Sequence, residues 1–100
     1  MALGIRVTSD ARKQIRDAND WWVENRRSAP DLVRTELERA FLLISSQPDV
    51  GSPALDPGLE SVRRVHLYRI RHFLYYRVAG DGTIQIVALW HTSRGSTAQL

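Results

Sequence analysis

Partway along this chain the spacing of apolar residues changes from helical to extended, and that switch limits the possible folds more than any other feature. Ala11, Ile15, Ala18 and Trp22 recur at intervals of 4, 3 and 4, which lines one face of a helix. The spacing predicts a helix over 10–26, capped by Ser9 or Asp10, whose side chains accept from free amides of the first turn. Val33, Leu37, Ala40 and Ile44 repeat the pattern, widened by Leu32, Phe41 and Leu43, and predict a second helix over 30–46. Pro30 suits its first turn, and Ser28-x-x-Asp31 reads as a capping box. Two such helices joined by a short break form an antiparallel hairpin.

Beyond Gln47 the helical period ends. Pro48, Gly51, Pro53, Pro57 and Gly58 crowd the stretch 47–60, a density that predicts an irregular connection. Three strand-like runs follow: Val62–Leu67, His72–Val78 and Thr83–His91. Ala79-Gly-Asp-Gly between the last two is a hairpin signal, with Gly80 and Gly82 both able to take positive φ. Leu3–Thr8 alternates at period two and predicts a strand ahead of the helices. The order is strand, two helices, then a three-stranded antiparallel meander. That order specifies an α+β fold with the helices packed on one face of the sheet.

One hundred residues supply one core, so residues 1–100 are read as a single domain with a flexible tail over 93–100. With no cysteine in the chain, neither disulfides nor thiolate metal sites are available to it. No apolar stretch approaches the ~20 residues of a membrane span, and no secretory leader is evident. The chain is therefore expected in the cytoplasm and away from membranes. His66, His72 and His91 have no helical i, i+4 pairing of a zinc motif. Neither a phosphate loop nor a Gly-x-Ser-x-Gly elbow occurs, so no metal or other cofactor is expected.

Charge is unevenly spread. Residues 1–60 carry eight Lys and Arg against ten Asp and Glu, whereas residues 61–100 carry six Arg against the single Asp81. Arg63, Arg64, Arg69, Arg71, Arg77 and Arg94, interleaved with Tyr68, Tyr75, Tyr76 and Trp90, suit phosphate or carboxylate recognition and base stacking. The plainer alternative is a solvated basic face. Both sheet faces also carry apolar residues. Strict alternation puts Ile84, Ile86, Ala88 and Trp90 on one side of the last strand, with Val87 and Leu89 on the other. In the middle strand Leu74, Tyr76 and Val78 oppose Phe73 and Tyr75. One helical hairpin covers one face, so the other either reflects central strands or awaits a partner.

Val62-Arg-Arg-Val-His-Leu, Leu74-Tyr-Tyr-Arg-Val and Leu89-Trp-His-Thr-Ser-Arg-Gly, in this order, resemble the C-terminal half of the RelE/ParE toxins of type II toxin–antitoxin systems. Trp21-Trp22, Pro30-Asp-Leu and Gln47-Pro-x-x-Gly51 match the first half, so the resemblance spans about residues 5–95. It implies a β-α-α-β-β-β fold, a tight complex with a cognate antitoxin protein, and growth arrest by the free toxin. The long helical hairpin looks more like the ParE side, which implies DNA gyrase as target. The alternative is a RelE-like, ribosome-dependent mRNA endonuclease using His91, Arg71 and Arg64, with ribosome and mRNA as partners. Against it, Lys13 is the only lysine and no tyrosine follows the last strand. A toxin fold reduced to a binding module is a third possibility. The residues expected to meet antitoxin or target are Arg63, Arg64, Arg69, Arg71, Phe73, Tyr75, Trp90 and Arg94.

Overall fold

The computed structural model describes residues 4–54 and 61–92. Strand β1 (Ile5–Val7) leads into helix α1 (Ser9–Asn25) and helix α2 (Leu32–Ser46). Strands β2 (Ser52–Pro53), β3 (Arg63–Leu67), β4 (His72–Val78) and β5 (Ile84–His91) complete one sheet in the order β1-β5-β4-β3-β2. The N-terminal strand lies parallel to β5, and the other pairings are antiparallel. The predicted tail and Arg94 fall outside the described residues.

The corner between β1 and α1 depends on Thr8. Its amide donates to the Ile86 carbonyl at 3.0 Å, while its Oγ1 accepts from the Ala11 amide at 3.1 Å. Thr8, rather than Ser9 or Asp10, thus caps α1, because one residue serves both the last rung of the sheet and the first turn of the helix. At α2 the N-cap is Asp31 and Pro30 lies in the preceding turn. The Asp31 carboxylate accepts from Arg34 at 2.6 Å and makes no capping bond, so the expected capping box is replaced by a surface ion pair.

Two further expectations change. The Pro- and Gly-rich stretch does contain a short strand, β2, paired with β3 through Ser52↔Arg64 and Pro53↔Arg63. Proline is tolerated there because β2 is an edge strand and need not donate on its open side. In the 79–82 turn only Gly82 takes positive φ, at +84°. The Ala79 amide donates to Thr83 and the Gly82 amide to Ala79, a three-residue loop whose last position is left-handed.

Alternation along β5 fails at one place. Tyr75 pairs with Ala88 but Tyr76 pairs with Ile86, so Val87 is a bulge residue with no partner on β4. A bulge inserts one residue and reverses which face all later side chains take. Ile84 and Ile86 therefore share the helix-covered core with Leu89, while Ala88, Val87 and Trp90 pack on the outer face with Val62, Phe73 and Tyr75. The main core joins Ala11 of α1 and Val33, Leu37, Ala40 and Ile44 of α2 to Leu67, Ile70, Leu74 and Tyr76 of the sheet side.

Candidate functional site

Three places hold the residues singled out in the sequence. The first is a groove of about 800 Å³ where the C-terminal half of α1 meets the β3–β4 turn and the end of β5. Gln14, Asp17, Ala18, Trp21 and Trp22 form its helical wall, and Arg69, Arg71, His72, Trp90 and His91 its sheet side. Beyond Ile86 the parallel partner β1 has ended, and the Gln14 side chain takes over by accepting from the Leu89 amide at 2.8 Å. This bond fixes the helical wall against β5.

Inside the groove, His72 and His91 are cross-strand partners, their rings edge-on with centroids 4.9 Å apart. His72 Nδ1 lies 2.7 Å from the Ile70 carbonyl, which favours the tautomer with the proton on Nδ1. Arg71 holds φ at +57°, in the left-handed region that a side chain with a Cβ normally avoids. The Thr92 amide donates to its carbonyl at 2.9 Å and helps hold that conformation. Arg26 covers the Trp21 ring at 5.5 Å. Trp22 Nε1 is buried and donates to no acceptor among the described residues, leaving a polar donor in the groove wall.

The second place is the outer sheet face. Arg64 stacks on Phe73 at 4.1 Å, and His66 lies between Phe73 and Tyr68 at 4.8 and 4.0 Å. Tyr75 meets the edge of Phe73 at 6.4 Å. The third place is a structural corner. Arg63 donates to the Gly51 carbonyl at 2.7 Å, and Tyr76 Oη donates to Pro48 while accepting from the Gly51 amide. Burial pushes the Tyr76 hydroxyl above its ordinary range, against the lowering effects of the Gly51 bond and Arg63.

The sequence-predicted residues thus divide. Arg69, Arg71, Trp90 and His91 gather in the groove. Arg64, Phe73 and Tyr75 lie on the outer face, and Arg63 anchors the corner. Arg94 lies outside the described residues. Sequence reasoning passed over Gln14 and weighed His72 only as a metal ligand. Gln14 carried a signal, since a glutamine beside the buried stripe of Ala11, Ile15 and Ala18 needs a partner. The pairing of His72 with His91 needed the register of the hairpin. Among the described residues no group of three or more His, Asp or Glu is arranged to hold a metal ion. No helix there is long and apolar enough to cross a membrane.

A small sheet with a helical hairpin on one face is the architecture of the RelE/ParE toxins. The model of the ParE toxin of type II toxin–antitoxin systems (parDE) matches residues 5–95, and the chain belongs to that family. Among solved structures, the chromosomal ParDE system of P. aeruginosa is similar, with TM-score 0.65 and 20% identity over 92% of this chain and 98% of that one. The RelBE2 toxin–antitoxin complex of Mycobacterium tuberculosis gives TM-score 0.65 and 24% identity over 91% and 99%. A mutant E. coli toxin RelE in complex with an antitoxin RelBc peptide gives 0.62 and 16% over the full length of both chains. No functionally curated protein matches.

Proposed function

We propose that this chain is a growth-arresting cytoplasmic toxin that acts on DNA gyrase and is silenced by a cognate antitoxin whose acidic segment lies in the groove. The observation that carries the gyrase reading is the separation of the three residues a nuclease would combine. Arg64 stacks on Phe73 on the outer face, whereas His91 and Arg71 line the groove. In-line RNA cleavage needs a base and cations around one phosphate, and these three do not converge on one. Membership of the ParE family supports the same choice. Arg26, Arg69 and Arg71 complement an acidic segment, and an acceptor brought by that segment would satisfy Trp22 Nε1.

The His72–His91 pair beside Arg69 and Arg71 supports mRNA cleavage as a second reading, since histidine is the usual acid–base residue near neutral pH. One experiment separates the two. The purified protein is expected to reduce supercoiling or trap cleaved DNA in a gyrase assay without ribosomes, and His91→Ala is expected to leave that activity and growth arrest intact. If gyrase is untouched and His91→Ala instead abolishes toxicity and mRNA decay, a loss of ~10²–10⁴ in rate, the nuclease reading replaces it. Free growth with verified soluble protein would leave only a binding module.

A further inference from the structure

Between α1 and α2 runs a second groove, of about 740 Å³, that the proposed function leaves unused. Its floor is Val33 and Leu37, both buried, and Ile15 and Phe41 rise above them partly covered. Val23, on the α1 wall, keeps 45% of its surface in water, so the groove offers apolar area to a partner. The two walls differ in sign. Arg12 and Arg16 stand one turn apart on the α1 wall, a spacing at which like charges repel. Asp20, one turn beyond Arg16, does not line the groove. On the α2 wall the Asp31–Arg34 pair closes on itself at 2.6 Å and leaves Glu38 as the net charge. Arg12, Arg16 and Glu38 make no ion pair among the described residues.

A foreign helix carrying one sign of charge would be drawn to one wall and repelled by the other. A second copy of this chain carries both rows. With a two-fold axis along the groove, α1 of each protomer lies over α2 of its partner, and four helices meet through their apolar side chains as in a bundle. The heights agree. Counted from the break between the helices, Arg16 lies nine residues from Asn25, and Glu38 lies six residues from Leu32. That difference of three residues is about 4.5 Å along the axis, within the reach of an arginine side chain. We propose that the groove between α1 and α2 is a self-association surface, with Arg16 of each protomer against Glu38 of the other and Val23 sealed between them. A face roughly 25 Å long and about 20 Å wide covers on the order of 500 Å² per protomer, at the low end for a specific interface, so the dimer is a reversible one.

Sedimentation equilibrium of the purified protein, at loadings across the micromolar range, tests the proposal. Neither gyrase nor antitoxin is present, so this inference and the proposed function can fail separately. A reversible monomer–dimer equilibrium is expected. Arg16→Glu and Glu38→Arg each set like charges together at two symmetry-related places, and each is expected to weaken the dimer about 5–30-fold. Mixed in equal amounts, the two variants are complementary again, and a heterodimer close to the parent in affinity is expected. A variant that had merely failed to fold would gain nothing from mixing. Val23→Glu is expected to abolish the dimer while leaving the melting temperature in dilute solution unchanged, since the side chain is exposed in the monomer. A monomer at every loading would overturn the proposal. So would a dimer indifferent to Val23→Glu, which would put self-association on another face, or mixed variants that fail to pair. A monomer whose antitoxin binding falls with Val23→Glu would give the groove to the antitoxin and overturn it equally.

Discussion

The two faces of the sheet are built from the same strands yet stand in different physical states. On the inner face Leu74, Tyr76, Ile84, Ile86 and Leu89 are sealed beneath the helical hairpin. On the outer face Val62, Tyr75 and Ala88 are buried, while Phe73, Val87 and Trp90 remain partly in water. The inner face carries stability, and the outer face keeps apolar and cationic groups available for a partner. The single bulge residue, Val87, determines which side chains of β5 belong to each. A face committed to the core cannot be reshaped cheaply, whereas a half-covered one can carry recognition at little cost to folding.

Inserting an alanine between Tyr75 and Tyr76, opposite Val87, is the most direct way to break this contrast. With Val87 given a partner on β4, a regular ladder would turn Leu89 outward and Ala88 inward. We expect a loss of more than about 3 kcal/mol, since a buried leucine leaves the core and alanine cannot fill its place. Cooperative urea unfolding with an unchanged midpoint would show that the bulge does not set the faces. Ile86→Ala on the inner face should cost about 2–5 kcal/mol, and Phe73→Ala on the outer face about 1 kcal/mol, because its ring is only partly buried. Equal losses in denaturant titrations would erase the distinction between the two faces.

A bound partner tests the groove at the end of the sheet rather than either face. Saturating cognate antitoxin at about 100 Kd should add about 2.7 kcal/mol, read as a rise on the order of 10–20 °C in melting temperature. Arg71→Glu should weaken that complex and make its salt dependence shallower. An unmoved melting temperature would sink the antitoxin reading of the groove.

The order of elements was legible because the apolar period changes from 3.6 to 2 at the Pro- and Gly-rich stretch, and that change survives in the fold. The bulge was not. Val87 is apolar and flanked by apolar residues, so the sequence alternates no differently where pairing slips. Short β2 was masked by Pro53, whose meaning depends on lying at an edge. The candidate site was legible as a set of residue types, but not as a place. Whether Arg64 and His91 share a face depends on register, and Arg63 is drawn into a corner by backbone carbonyls that no side-chain pattern announces.

Smaller effects belong to that corner. A Cβ on Gly51 would meet the Tyr76 ring and hydroxyl at 2.8 Å and the Arg64 carbonyl at 2.9 Å. Gly51→Ala should therefore cost about 1–3 kcal/mol through overpacking. Tyr76→Phe should cost about 1–2 kcal/mol, as the buried Gly51 amide loses its acceptor. The Tyr76 hydroxyl is raised above its unfolded value of 10.0. Its contribution is therefore complete below that pH and is lost as pH climbs through the folded value. Tyr76→Phe should flatten the alkaline limb of the stability profile. An unaltered limb in thermal scans would remove Tyr76 as its cause.

The place of β5 between β1 and β4 has a consequence for the chain as it is made. Translation delivers β1 and both helices first, yet the strand that joins β1 to the rest of the sheet emerges after Gly82. A nascent chain halted before that point has β4 unpaired on one side and β1 with no neighbour at all. Long-range pairing of this kind forms late, because its loop must close before any contact rewards it. Interrupted synthesis should then yield protease-sensitive fragments rather than partial toxins, a point that limited digestion of a chain ending at Gly80 can check. Toxin function would then come only once β5 has emerged and joined β1 to β4.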